Sequence, residues 1–267
     1  MRRRATLWLL AGLAGCTSIP PEALPVAHNP SGAVAADIRE PGPPVHAAAG
    51  ARFVVRAADP ARAKAVLTLA EDDYEDVMAH TGLYSFKPAG LYPVFVYSGT
   101  PEYLAKTGAP RWSGGIAVGN AIYSFEGPQL ARTLAHEISH LIFHEYMGAG
   151  AGLRWFNEGL AVYMELGAAP SSEKPELEAW LRSSHDAPMS FGSLVRYVPG
   201  DARTKQWYGQ SASLARFLVE VGGRAGVARF LSATRAGVPL ERALAEAFPT
   251  ICDGLASLER RWLLTKE

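Results

Sequence analysis

Residues 136–140 read His-Glu-Ile-Ser-His. Two histidines four apart on a helix lie about 40° apart around the axis and about 6 Å along it. Both imidazoles can therefore point at one metal ion from a single rigid element. Glu137 is offset from the pair, where its carboxylate can reach a water on such an ion without ligating the ion. Two neutral nitrogen ligands, a carboxylate that takes a proton and an open coordination position are what a zinc hydrolase requires. Five residues with three fixed positions are a short pattern, but the surroundings suit it. Leu130, Leu134, Ile138, Leu141 and Ile142 fall on one helical stripe, with His136 and His140 on the far side. A helix patterned in this way fits the floor of a cleft.

A third ligand is needed. His144 continues the series, but it lies about 12 Å along the axis from His136, far beyond what bonds of about 2 Å can span. Glu145 points toward the apolar stripe. Glu158 is the better candidate, in Trp155-Phe156-Asn157-Glu158-Gly159-Leu160-Ala161-Val162-Tyr163. It follows a break at Gly148, Gly150 and Gly152 that lets a second helix fold back. Its carboxylate would complete a two-histidine, one-glutamate set with room for water.

The pentad followed by the WFNEGLAVY segment resembles the gluzincin metallopeptidases, the thermolysin-like group, and most closely the bacterial peptidase MA-like family. The resemblance covers roughly residues 51–220, with its specific core at 111–163. It implies zinc bound by His136, His140 and Glu158, with Glu137 as general base. In the thermolysin-like group an aspartate four residues after the glutamate ligand bonds a ligand histidine. Here that position is Val162, so the partner of His136 has to come from elsewhere, a backbone carbonyl being one source.

At the N-terminus, Arg2, Arg3 and Arg4 precede a short apolar stretch from Ala5 to Leu13, and Leu13-Ala14-Gly15-Cys16 reads as a lipobox. The stretch is about half of the ~20 residues that span a bilayer, so it reads as an export signal. It resembles bacterial lipoprotein signals, which implies cleavage before Cys16 and lipid on that residue, anchoring the protein in the cell envelope. Thr17, where enteric lipoproteins held in the inner membrane carry aspartate, favours the outer membrane, facing the periplasm. The other cysteine, Cys252, then has no disulfide partner and reads as a small buried residue.

Residues 16–50 are rich in proline, alanine and glycine and show no apolar periodicity, which predicts an extended tether. The 26 basic and 26 acidic residues balance, which argues against a nucleic-acid partner. The elements that must position the pentad follow from patterning. Strands are predicted at 52–56, 91–97 and, as a hairpin turning at Gly119-Asn120, 115–125. Helices are predicted at 60–80, opened by Asp59 and Pro60, at 100–106 with Thr100 as cap, and at 129–147 and 155–166. Beyond Pro170 the pattern is helical, including 209–221, 226–233 and 240–248. The expected fold is α+β: a small mixed sheet on the zinc-binding helix (51–168), then a helical lobe closing a cleft (169–267), as in a thermolysin-like zincin.

The hairpin strand just before the metal helix offers an edge along which an extended peptide can add, as the substrate-binding strand does in gluzincins. Tyr208, at the start of a helix in the second lobe, is a candidate donor to the oxyanion of the reaction. The resulting expectation is a lipid-anchored zinc metallopeptidase acting on peptide or protein substrates. The other expectation is a non-catalytic envelope scaffold that keeps a zincin fold; an intact Glu137 argues against it.

Overall fold

The computed structural model describes residues 38–84, 86–148 and 153–265. The predicted signal segment, Cys16 and the first part of the predicted tether lie outside the described residues. Burial alternates along β2 (Phe53–Ala57), where Phe53, Val55 and Ala57 are buried and Val54 and Arg56 only partly so. In β3 (Tyr92–Tyr97), Val94 and Val96 face one core while Phe95 and Tyr97 face another. That period of two makes both segments strands with two covered faces. With β1 (His46–Ala49), β4 (Gly115–Val118) and β5 (Ala121–Phe125) they form a mixed sheet in the order β1-β2-β3-β5-β4. The pairs β2/β3 and β3/β5 are parallel, and β1 and β4 add antiparallel at the two edges. The predicted hairpin turn falls at Gly119-Asn120, with Val118 opposite Ala121, and Gly119 takes a φ of 62° there.

The end of the predicted tether belongs to this body. His46–Ala49 pairs with β2, the Tyr97 hydroxyl donates to the Arg39 carbonyl, and the Gly42 amide donates to Glu102. Pairing with β2, the bond from Tyr97 of β3 and the bond to Glu102 of α2 (Thr100–Thr107) hold this segment. Proline-rich composition therefore does not mark the whole of 16–50 as unpacked.

Helix α1 (Pro60–Thr81) opens as predicted: the Asp59 side chain accepts the Arg62 amide, Pro60 sits in the first turn, and left-handed Gly82 closes the far end. Helix α2 is capped differently from the prediction. Thr100 lies inside it, Gly99 precedes it, and Glu102 reaches back to accept the amide and hydroxyl of Ser98. The Gly42 amide first, then Ser98 and Lys106, pull the Glu102 carboxyl down to about 2.

Helix α1 and helix α3 (Leu130–Met147) cover one face of the sheet, and α2 covers the other with Tyr103 against Tyr97 and Phe125. Helix α4 (Arg154–Gly167) lies on α3, and α7 (Thr204–Arg235) lies on α4. The two helices predicted at 209–221 and 226–233 are one run, broken at Gly223 by a φ of 68°. The remainder is helical: α5 (Lys174–Ser183), α6 (Phe191–Arg196), α8 (Leu240–Ala247) and α9 (Leu255–Leu263). One apolar core runs from Phe53 through α3, α4 and α7 to Trp262, so the boundary drawn at 168/169 lies within a shared core. Cys252 is buried in it with its thiol toward the Leu244 carbonyl. Among the described residues, no helix is long and apolar enough to cross a membrane.

Candidate metal centre

Helix α3 is buried nearly all round. Leu134, Ile138, Leu141 and Ile142 sit in the main core, and His136, Glu137 and His140 are buried too. The polar side is covered because α4 folds back across it after Gly148. Trp155 and Phe156 anchor that return, both fully buried and packed on Phe230 of α7. With them fixed, Glu158 turns toward α3 and Gly159 turns toward α7.

The ligand-capable atoms converge. His136 Nε2 lies 2.9 Å from His140 Nε2, and Glu158 Oε2 lies 4.0 Å from the first and 3.5 Å from the second. A point equidistant from three atoms so spaced is about 2.1 Å from each, the length of a zinc–imidazole or zinc–carboxylate bond. Two imidazoles and a carboxylate are also a donor set that zinc accepts. His136, His140 and Glu158 are the one group among the described residues whose donor atoms gather this closely. His144 is exposed and stands outside it. Glu145 is turned away, accepting the Tyr92 hydroxyl and the Ala89 amide.

Each histidine is held from behind. His136 Nδ1 lies 3.1 Å from Glu165 Oε2, and His140 Nδ1 lies 3.0 Å from Asn157 Oδ1. The partner of His136 is thus a carboxylate and not a backbone carbonyl, set two turns beyond Glu158 on α4. Glu165 is in turn bonded at 2.8 Å by Arg132, one turn before His136 on α3, and Arg132 reaches Glu173 at 2.5 Å. Sequence reasoning passed over Arg132, Asn157, Glu165 and Glu173. A usable signal existed: Arg132 is at i−4 from His136 and Glu165 at i+7 from Glu158, both on the ligand faces of their helices.

The neighbours also decide where protons lie. Glu165 accepts from His136 Nδ1, so in the neutral form of that ring Nε2 is the acceptor and His140 the donor across the 2.9 Å contact. Burial pushes the His140 imidazole down, but Glu158 outweighs it, with help from Glu137 and Asn157, and the group titrates above its usual value. His144, whose ring is partly covered although the residue is exposed, goes the other way, lowered by that cover and by the neighbouring His140. His136 and His140 would have to give up the proton between their rings to hold a metal ion.

Glu137 occupies the α3 face turned to strand β4. There the sheet and helix approach so closely that a Cβ on Gly115 would stand 2.5 Å from Thr133 Cγ2 and 3.5 Å from Glu137 Cγ. Ser113 and Ser124 hydroxyls hold this stretch by donating to the carbonyls of Gly115 and Gly114. Within the sheet, strand β4 pairs with β5 alone, and its residues beside Glu137, Gly115 and Ile116, are buried. Tyr208 is buried on α7, stacked edge-on against Trp207, one turn before the residue that meets Gly159. His185 packs on Trp262, 3.9 Å between ring centres, and bonds Ser213; it is a core residue.

No protein-family model matches this chain, and no curated protein is detectably similar to it in sequence.

Proposed function

We propose that this chain is a zinc-dependent metallopeptidase of gluzincin type, with a thermolysin-like catalytic fold, anchored in the bacterial cell envelope through lipid on Cys16. The observation that carries the reading is the gathering of His136, His140 and Glu158 at bonding separations, with buried Glu137 on the same helix, turned to the edge strand β4. A purely structural zinc site has four protein ligands; this one has three and an adjacent carboxylate.

His136, His140 and Glu158 would hold the zinc, which when bound supplies Lewis acidity and makes a water acidic enough to react near neutral pH. The chain does the rest. The outer edge of β4 takes an extended peptide by backbone hydrogen bonds and lays its scissile bond along α3. Glu137 accepts the proton of the attacking water and returns it to the leaving amine nitrogen. The Tyr208 hydroxyl donates to the oxygen that gains charge as the carbonyl is attacked. A peptide or protein of the envelope is the substrate, and the lipid places the site at the outer membrane on its periplasmic side.

Glu137→Gln tests the reading, because it keeps shape and removes basicity. The variant should retain its zinc and its melting temperature while hydrolysis falls by at least ~10²-fold. Complementation of a deletion strain is the assay that needs no known substrate. A Glu137→Gln form that holds zinc and restores the deletion phenotype in full would favour a non-catalytic scaffold.

A further inference from the structure

The two histidines are braced unequally. Behind His140 stands a neutral amide, Asn157, which also lies 3.4 Å from His144 at the surface. Behind His136 stands a buried ion pair. The Glu165 side chain is wholly buried and that of Arg132 is 5% exposed, whereas Glu173 at the outer end is 46% exposed. One Glu165 oxygen takes a charge-assisted bond from Arg132, and the other faces His136 Nδ1. The ring of His136 is therefore clamped from its own helix by way of α4. A neutral imidazole has two tautomers and a rotatable ring, and only one combination aims the Nε2 lone pair at Glu158 and His140.

We propose that Arg132 is a positioning residue of the metal centre: acting through Glu165, it fixes the orientation and tautomer of His136. The inference rests on the reading of His136, His140 and Glu158 as metal ligands. Arg132 touches neither metal nor substrate in this arrangement. Its consequence is measurable, since loss of such an outer partner lowers metal affinity 10–100-fold in comparable sites.

The test uses the purified full-length protein and zinc alone, with affinity read by competition against a chromogenic chelator. Arg132→Met should weaken zinc binding about 10–100-fold, and Arg132→Lys, which keeps the charge, should recover part of that loss. Replacing a buried ion pair by apolar side chains is often neutral for stability. The double variant Arg132→Met/Glu165→Leu should therefore melt close to wild type while still binding zinc weakly. That split is what a merely structural ion pair would not produce. A double variant that binds zinc within threefold of wild type would overturn the proposal. Wild-type protein that takes up no zinc would instead overturn the ligand assignment. In that case nitrogen-15 NMR of the metal-free protein decides the positioning role by itself. His136 should be protonated on Nδ1 in wild type and mixed in Arg132→Met; the same tautomer in both would sink the role of Arg132.

Discussion

Gly159 and Ser211 meet so closely that a Cβ on Gly159 would stand 2.2 Å from the Ser211 carbonyl oxygen and 3.0 Å from Ala215 Cβ. Glu158 is the preceding residue, so the contact that seats α4 on α7 also sets the depth at which Glu158 faces the histidines. Gly159→Ala should push the two helices apart, costing on the order of 1–3 kcal/mol, and weaken zinc binding as well. Thermal melting and zinc titration check both. A melting loss with zinc affinity untouched would separate the helix contact from the site.

Glu158 and His144 should differ sharply as ligands. Glu158→Ala removes one of three donors and should lose zinc readily on dialysis, while His144→Ala, outside the group, should keep it. Zinc content after exhaustive dialysis is the measurement. Equal retention in the two variants would take Glu158 out of the centre.

Asp73, on α1, makes stability depend on pH. Burial first, then Asp76 and Asp72, push its carboxyl up to about 7, and its buried Oδ2 has no hydrogen-bond partner among the described residues. The folded chain therefore binds this proton more tightly than the unfolded chain, whose aspartate titrates near its usual value of about 3.9. Asp73 costs nothing below that value. The cost grows as pH rises and is complete above about 7. Asp73→Asn should melt higher than wild type at pH 8, with the gain shrinking steadily toward pH 4. Melting curves across that range test it; a gain independent of pH would mean the carboxylate is not the cause.

Cys16 carries the proposed anchor. Cys16→Ser should abolish acyl labelling and release the protein from the membrane fraction. The zinc affinity should be unchanged, since the donor group is His136, His140 and Glu158. Acyl label that persisted in Cys16→Ser would refute the lipobox reading.

The local features were legible because they arise within a few residues of chain. The i, i+4 spacing of His136 and His140 is a property of any helix. Asp59-Pro60 opens α1 through its own first turn, and Gly119-Asn120 turns the β4/β5 hairpin by backbone preference. The exclusion of His144 also followed from helix rise, while Glu158 came forward from the glycine break before it and the resemblance of its segment. The cap of α2 did not, because Glu102 acts there together with Ser98 and with Gly42, distant in sequence.

What only the tertiary structure decided is everything that depends on which faces meet. Composition made 38–50 look like tether, yet His46–Ala49 pairs with β2 as a strand. Val162 removed the expected partner of His136, and helix spacing puts Glu165 on the face of Glu158 without saying that it reaches the ring. Glu165 reaches that ring because Trp155, Phe156 and Gly159 fix how deeply α4 sits between α3 and α7. Spacing along a helix sets which side chains share a face. The depth and rotation of one helix against another come from packing across the whole core, and here they turn two histidines and a distant glutamate into a single set of donors.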